Sequence, residues 1–257
     1  MRYLLAVLMA VGVLAQASAG QVSWPGGRKA AVVLTYDDAL SSQLDIAIPA
    51  LDAAGLKGTF FLVGSGVTPA TVLRWRAAAS EGHELGNHTL FHPCARVKYP
   101  MPVQYQIESY TVETMLTEIR TMNAMLTAMD GRAEHAFAVP CGDTLAGGTD
   151  YLEPLRLSGL VRYDRDLQWA ERLGLDRQHI ASAWFPETAT GAEMIEAVKQ
   201  AEQNGGLLVF GFHGIGGDHL KVSAEAHAEL LAYLKANRDR IWVAPFSTVM
   251  DYATAKK

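Results

Sequence analysis

The chain has 257 residues, of which 49% are hydrophobic and 19% charged, and its formal net charge is −5. This length and composition suit one large domain, or two small ones, with an ample buried core. Because no run of basic residues is longer than Arg28 and Lys29, the basic surface typical of nucleic-acid binders is missing, and we expect no nucleic-acid partner.

The first nineteen residues differ in composition from the rest. Arg2 is followed by an apolar run, Tyr3–Ala15, and then by the small residues Ala17, Ser18 and Ala19. This pattern predicts a secretory signal peptide at residues 1–19 and a mature domain at residues 20–257, secreted or periplasmic. The apolar run is short for a membrane span, so we expect no stable membrane anchor after cleavage; an uncleaved anchor is the alternative.

The predicted elements alternate between strands and helices along the chain. Strands are expected at Ala30–Thr35, Gly58–Val63, His83–Asn87, Glu134–Val139, Leu160–Tyr163, Ile180–Ala183, Leu207–Phe212 and Ile241–Ala244. Helices are expected at Ser41–Ala54, Pro69–Ser80, Val112–Met129, Tyr151–Leu157, Gly191–Asn204, Ser223–Asn237 and the end of the chain, with a loop at Pro93–Ser109. The alternation predicts a parallel α/β fold, and about seven or eight units favour a barrel with its site at the carboxyl ends of the strands. An open doubly wound sheet is the alternative, although no Gly-rich phosphate loop follows the first strand.

Two adjacent carboxylates, Asp37 and Asp38, stand where the first predicted strand ends. Neighbouring like charges raise each other's pKa unless a cation lies between them. Because the backbone turns at a strand end, both side chains can reach one pocket. In the alternative interpretation, one aspartate caps a helix and the other is solvated.

Histidines follow two other predicted strands. His88 and His92 are four residues apart, a spacing that places two imidazoles on one side of a helical turn. Together with a carboxylate they would bind zinc or a similar divalent ion, although such pairs also occur without a metal. His213 follows the strand Leu207–Phe212, and Pro140 and Gly142 force a turn that can aim a backbone N–H into a pocket.

Four motifs make the sequence resemble the polysaccharide deacetylase (NodB-like) family, carbohydrate esterase family 4. The segments are Thr35–Ala39, His88–His92, Ala138–Gly142 and Phe210–His213, in the family's order. The resemblance implies a distorted (β/α)7 barrel. It also implies a metal-dependent hydrolase that removes N- or O-linked acetyl groups from an acetylated oligo- or polysaccharide by attack of a metal-activated water.

The resemblance assigns a role to each matched residue. It implies one divalent ion, zinc first, with cobalt, manganese or nickel as alternatives. The residues implied are Asp38, His88 and His92 as metal ligands, Asp37 as general base, His213 as general acid, and the backbone N–H of Cys141 as an oxyanion donor.

Two departures from the family pattern raise further hypotheses. Ala138 stands where the family has an arginine that orients the catalytic aspartate, and Arg162, at the end of the next predicted strand, is the predicted substitute; a plain surface arginine is the alternative. Phe210 and Phe212 replace leucines and would either line an acetyl pocket or belong to the core.

Two smaller points remain open. Cys94 follows the His88–His92 motif, and Cys141 lies within the Ala138–Gly142 motif. If these two motifs surround one metal, the two cysteines would be close enough for a disulfide, which an oxidising compartment permits. Two free thiols are the alternative. His219, in a loop near His213, is a candidate for substrate contact or a plain loop residue.

Competing functions remain for the same residues. A metal-dependent hydrolase of a non-sugar linear C–N bond is the first alternative, and a catalytically inactive glycan-binding homologue is the second. A glycosidase that uses Asp37 and Asp38 is disfavoured, because adjacent residues can hardly flank a glycosidic bond at the separation required.

Overall fold

The computed structural model of the protein describes residues 23–166 and 179–255, with the backbone alone for residues 179–181. The predicted signal peptide lies outside the described residues. Strands are β1 (Ala30–Asp37), β2 (Thr59–Leu62), β3 (Glu84–Asn87), β4 (Phe137–Ala138), β5 (Leu145–Ala146), β6 (Thr149–Asp150), β7 (Asp164–Asp166), β8 (His179–Ala181), β9 (Ala183–Trp184), β10 (Leu207–Phe212) and β11 (Ile241–Val243).

Helices lie between most of these strands. They are α1 (Ile48–Ala54), α2 (Val72–Ser80), α3 (Val112–Asp130), α4 (Leu152–Ser158), α5 (Gly191–Gln203), α6 (Ala224–Ala236) and α7 (Phe246–Ala255). Gly55, Gly131 and Gly159 end α1, α3 and α4 in the left-handed conformation, which glycine adopts without steric cost. None of the helices in the described ranges is long and apolar enough to cross a bilayer.

The main sheet is parallel throughout, in the order β8-β7-β4-β3-β2-β1-β10-β9, and β11 pairs with the first half of β1. Its two edge strands, β8 and β9, are consecutive in the chain and separated only by Ser182. The chain therefore steps from one edge of the curled sheet to the other. This arrangement confirms the predicted distorted (β/α)7 barrel of the NodB-like type.

The two faces of β1 pack against different layers. Val32, Leu34 and Tyr36 belong to the large cluster shared with helices α1, α2, α5 and α6. Ala31 and Val33 face the other way, into a cluster with α7. Because side chains alternate along a strand, Asp37 shares the face of Ala31 and Val33, inside the barrel.

Helix α7 is bound to the amino ends of β2 and β3. The backbone N–H of Phe246 donates to Thr59 Oγ1 at 2.8 Å, and that of Ser247 donates to Glu84 Oε2 at 3.0 Å. Thr59 Oγ1 also donates to Glu84 Oε2 at 2.8 Å. The buried carboxylate of Glu84 thus caps a helix start, at the end of the barrel opposite to the ends of β1 and β3 that carry Asp37 and His88.

The fifth predicted strand differs from its observed position. A strand was expected at Leu160–Tyr163, but β7 spans Asp164–Asp166 and pairs with β4 through Phe137 and Ala138. Helix α4 ends at Gly159, and residues 160–163 connect it to β7. Val161 and Tyr163 of this connection are buried. All three residues of β7 are polar and buried, so hydrophobicity does not reveal this strand.

Candidate metal and catalytic site

The carboxyl ends of β1, β3 and β10 carry most of the predicted site residues. Asp37 is the last residue of β1, and Asp38 follows with a φ of 81°. His88 comes directly after β3, and His213 directly after β10. Because carboxyl ends of parallel strands meet at one end of a barrel, residues far apart in the sequence come together here.

Asp38, His88 and His92 form the candidate metal centre. Their ligand atoms all lie within 4.8 Å of one another. Asp38 Oδ1 is 3.6 Å from Nε2 of His88 and 3.6 Å from Nε2 of His92, and the two Nε2 atoms are 3.1 Å apart. The structure therefore brings together the three residues predicted to bind the ion.

The ring of His88 is oriented by the backbone of β4. Nδ1 of His88 lies 2.9 Å from the carbonyl oxygen of Ala138 and donates to it, which leaves a lone pair on Nε2. Burial lowers the pKa of His88 to about 4, despite the opposing charge of Asp37. His88 is thus held neutral, the form that binds a metal.

The turn from His88 to His92 is shaped by local hydrogen bonds. Asn87 Oδ1 accepts from the N–H of Thr89 at 2.8 Å, and Thr89 Oγ1 accepts from the N–H of His92 at 2.9 Å. Thr89 and His92 have φ values of 65° and 54°, a region that non-glycine residues seldom occupy. Strained backbone of this kind is concentrated at functional sites.

A buried carboxylate on α3 holds the middle of the same turn. Glu118 Oε2 accepts from the N–H groups of Leu90 and Phe91 at 3.2 and 3.3 Å. Its other oxygen accepts from the hydroxyl of Tyr110. Burial raises the pKa of Glu118 more than these hydrogen bonds lower it. Sequence patterns gave no indication of this support, since Glu118 lies within an ordinary amphipathic helix.

Asp37 is paired with Arg165 of β7. Arg165 Nη2 lies 2.5 Å from Asp37 Oδ2, and both side chains are almost completely buried. His88 Nε2 is 3.6 Å from the same oxygen. Asp37 Oδ1 is buried and has no hydrogen-bond partner in the described part of the chain.

The guanidinium of Arg165 is enclosed by aromatic rings and one hydroxyl. It lies 4.9 Å from the ring centre of Phe61 and 5.3 Å from that of Trp184. Nη1 donates to Ser182 Oγ at 3.1 Å, and Trp184 Nε1 donates to the same oxygen at 2.8 Å. The side chain is therefore fixed by cation–π contacts and hydrogen bonds as well as by its charge.

The placement predicted for Arg162 is wrong. Its side chain is 54% exposed, and Nη1 pairs with Asp251 Oδ1 at 3.0 Å on the protein surface. The cause is that β7 begins later than the predicted strand. Arg162 lies before β7, whereas Arg165 lies within it and points its side chain into the barrel, toward Asp37. The plain surface interpretation holds for Arg162.

Gln43 is a further residue that the sequence interpretation missed. The predicted helix Ser41–Ala54 begins as a π-helical turn at Gln43–Ala47 and becomes α-helical only at Ile48. Gln43 Nε2 donates to the carbonyl of Asp37 and, at 3.1 Å, to that of His213. The wide turn thus links the ends of β1 and β10; π-turns are frequent at functional sites.

His213 lies beside the carboxylates and against an aromatic ring. Its Nε2 is 3.8 Å from Asp38 Oδ2, and its ring centre is 4.7 Å from that of Trp184. Burial lowers the pKa of His213, while the charges of Asp37 and Asp38 raise it by less. The structure brings this predicted residue into the site.

His219 also reaches the site. Its Nε2 lies 2.9 Å from Asp38 Oδ2, and this hydrogen bond raises the pKa of His219. Burial alone would raise the pKa of Asp38, but the hydrogen bond from His219 and the charges of His88, His92 and His213 lower it instead. Asp38 is therefore an anion at neutral pH.

A disulfide joins Cys94 to Cys141, with 5.7 Å between the Cα atoms. Cys94 Sγ lies 3.5 Å from His92 Nδ1, and Cys141 has a φ of 52° in the turn after β4. The bond therefore links the segment of a candidate metal ligand to the turn whose backbone N–H was predicted to face the substrate. Both sulfurs are used in this bond, so neither is a free thiolate ligand.

The two phenylalanines of the last motif belong to the core. Phe210 and Phe212 are buried, stack on each other at 5.6 Å, and lie in the cluster on the helix side of the sheet. They face away from Asp37 and do not line an acetyl pocket. Phe212 also stacks on Tyr36 at 5.3 Å.

The curled parallel sheet and its cluster of two histidines and a carboxylate define an α/β-barrel protein with a candidate site for one divalent ion. The model of the polysaccharide deacetylase family matches residues 26–155. The chain therefore belongs to the polysaccharide deacetylase family, as the resemblance to NodB-like, carbohydrate esterase family 4 proteins predicted.

Solved structures support the same fold. A protein of Mycobacterium smegmatis assigned to the polysaccharide deacetylases is 19% identical, with a TM-score of 0.66, over 93% of this chain and 94% of that one. PuuE allantoinase is 15% identical with a TM-score of 0.63, over 93% and 95% of the two chains. A family 4 acetyl xylan esterase of Clostridium thermocellum, solved with a cobalt ion, is 19% identical with a TM-score of 0.55, over 88% and 91%. A sequence search among curated proteins finds no match.

Proposed function

We propose that the protein is an exported, metal-dependent hydrolase that removes acetyl groups, N- or O-linked, from a carbohydrate. One observation carries the proposal: Asp38, His88 and His92 converge, with Asp37 and His213 beside them at the same end of the barrel. Such an arrangement offers one cation site flanked by a separate base and a separate acid.

The residues at the centre fit a divalent cation. Asp38 Oδ1 is buried between two imidazoles and has no hydrogen-bond partner among the described residues. A buried carboxylate oxygen without a partner is costly, and a cation would offset that cost. Two imidazoles and one carboxylate suit zinc first, with cobalt, manganese or nickel as alternatives. A cation bound there polarises the acyl carbonyl and makes water more acidic.

Asp37 is the proposed general base, acting at Oδ1. Arg165 takes up Oδ2, so Oδ1 is the oxygen left to accept a proton from the attacking water. The guanidinium keeps the carboxylate oriented before the reaction. The water oxygen forms the new bond to the acetyl carbon, and its proton passes to Asp37.

His213 is the proposed general acid, acting at Nε2. When the C–N or C–O bond of the acetyl group breaks, His213 supplies the proton that the amine or alcohol needs to leave. The products are acetate and the deacetylated sugar. The Cys141 N–H is proposed to donate to the oxyanion, and its turn is held beside His92 by the disulfide.

The buried Arg165 argues against an inactive homologue. An inactive homologue would be expected if Asp37 lacked the guanidinium that the family motif supplies at the position of Ala138. Arg165 supplies a guanidinium to Asp37 from the neighbouring strand, since Ala138 and Arg165 are paired in the sheet. The charge that the family motif carries is therefore present, although it comes from another position in the sequence.

Export is proposed on two grounds. Residues 1–19 have the composition of a signal peptide. The disulfide between Cys94 and Cys141 suits an oxidising compartment, secreted or periplasmic. Mass spectrometry of the protein from cell fractions tests this point. A mature chain that begins at residue 20 outside the cytoplasm would support export, and a full-length chain confined to the cytoplasm would refute it.

Acetate release tests the activity. Purified protein is assayed on chitooligosaccharides, peptidoglycan fragments, acetylated xylan and small linear amides, with and without a chelator. The Asp37→Asn variant is the inactive control. Release from a glycan that stops with chelator and in the variant supports the proposal. Release from linear amides alone would favour the non-sugar C–N hydrolase, a candidate kept because an allantoinase shares the fold.

A further inference from the structure

The two oxygens of Asp38 have different surroundings. Oδ1 lies 3.6 Å from His88 Nε2 and 3.6 Å from His92 Nε2, is buried, and accepts no hydrogen bond from the described residues. Oδ2 lies 2.9 Å from His219 Nε2. One oxygen thus faces the candidate metal centre, while the other is occupied by a histidine from a loop.

The loop that carries His219 is tied to the segment after Asp38. Asp218 Oδ2 accepts from the N–H of Ser42 at 2.7 Å, and the carbonyl of Gly217 accepts from the Ser42 hydroxyl at 3.3 Å. The carbonyl of His219 accepts from the N–H of Gly214 at 3.2 Å. A side chain at Gly214 would come within 2.0 Å of the Gly217 carbonyl, so the loop is tightly closed.

We propose that His219 is a positioning residue for Asp38: its Nε2–H donates to Oδ2 and thereby directs Oδ1 toward the metal. The inference rests on the proposed metal site and deepens it. It assigns His219 a role in metal affinity, in place of the substrate contact considered from the sequence alone.

The geometry favours an indirect role over direct ligation. Asp38, His88 and His92 form a compact group of ligand atoms, and His219 is outside that group. Its side chain is 55% exposed and contacts Asp38 Oδ2, whereas the 3.6 Å contacts of His88 and His92 are to Oδ1. Partners that orient a metal-bound carboxylate typically change metal affinity by about 10- to 100-fold when they are removed.

Cobalt binding provides the test without any need for turnover. Metal-free protein is titrated with Co²⁺ in competition with a chromophoric chelator, and the visible spectrum of the Co²⁺ complex is recorded. The variants are His219→Ala, His219→Gln and Asp38→Ala. Lys221→Ala is the matched control, because Lys221 is an exposed residue two positions along the same loop.

We expect His219→Ala to weaken Co²⁺ binding by about 10- to 100-fold, with the intensity of the Co²⁺ absorption bands unchanged. Glutamine keeps an N–H donor and should restore most of the affinity, and Lys221→Ala should match the wild type. Unchanged affinity in His219→Ala would overturn the inference. A change of band intensity that signals a lost ligand would overturn it as well, because His219 would then coordinate the ion itself. Wild-type affinity in Asp38→Ala would instead refute the proposed metal site.

Discussion

Arg165 and Asp37 form a buried ion pair across the barrel, with 2.5 Å between Nη2 and Oδ2, although 128 positions separate them in the chain. Removal of one partner from a buried pair leaves an unpaired charge, which typically costs about 3–5 kcal/mol. We therefore expect Arg165→Ala to lower the free energy of unfolding by that amount. We also expect a loss of about 100-fold in kcat, since Asp37 loses its orientation.

Arg162→Ala is the matched control for this prediction. Arg162 is three residues away and carries the same charge, but it lies on the surface, where it pairs with Asp251 and Glu134 and contacts the ring of Tyr163. Its removal should change stability by no more than about 0.5 kcal/mol and leave turnover unaffected. Urea unfolding and acetate release measure both variants. Normal turnover in Arg165→Ala, together with a defect in Arg162→Ala, would show that the assignment is inverted.

The site residues that the sequence predicted share a simple feature. Each lies at the carboxyl end of a predicted strand: Asp37 ends β1, His88 follows β3 and His213 follows β10, and the carboxyl ends of parallel strands must meet. Their convergence could therefore be inferred from alternating strands and helices. The bounds of β10 agree fully with the prediction, because a long apolar run buried on both faces is unambiguous.

The missed residues depend on geometry that has no sequence pattern. Arg165 lies in a strand whose three residues are all polar, so neither an alternation of apolar and polar residues nor an apolar run indicates a strand there. Gln43 lies in a π-helical turn, which a helical pattern cannot distinguish from an α-helix. His219 was expected near the site as a candidate for substrate contact, but its hydrogen bond to Asp38 depends on a loop that is itself bonded to Ser42. In each case a contact between distant segments decides the position of the side chain.

Removal of the disulfide should lower the free energy of unfolding substantially. Cys94 and Cys141 are 47 residues apart, and closing a loop of that length contributes about 4 kcal/mol in the chain-entropy model. The double variant Cys94→Ser with Cys141→Ser should lose stability of this order in urea unfolding. Thiol counting on denatured, unreduced wild-type protein should find no free thiol, whereas two reactive thiols would show that the bond does not form.

Replacement of the buried Glu84 should lower the stability of the fold without affecting the candidate site. Glu84 Oε2 accepts from Thr59 Oγ1 and from the N–H of Ser247, and Oε1 accepts from the Ser247 hydroxyl. Glutamine keeps only one acceptor oxygen, loses the charge that strengthens these hydrogen bonds, and presents its NH2 group to a donor at the other position. We expect Glu84→Gln to destabilise the fold by about 2–3 kcal/mol. Activity per folded molecule should stay unchanged, because Glu84 lies at the amino ends of the strands. A turnover defect at full stability would contradict this separation.

The pH dependence of stability follows in part from His227. This side chain is buried against Tyr36, whose hydroxyl is hydrogen-bonded to His227 Nε2 at 2.8 Å. Burial lowers the pKa of His227 to about 4, from an ordinary value of 6.5. The unfolded chain therefore binds a proton on this residue at a higher pH than the folded chain does.

Stability should consequently fall as the pH drops from about 6.5 to about 4, because protonation then favours the unfolded state. His227 accounts for up to about 3 kcal/mol of this loss, since each unit of pKa difference is worth about 1.4 kcal/mol. His88 is buried with a lowered pKa and contributes in the same direction. The comparison with His227→Gln isolates one residue, because glutamine still offers an acceptor to Tyr36 but does not titrate. Urea unfolding at intervals from pH 7 to pH 4 should give a shallower decline for the variant, and parallel curves would refute the assignment.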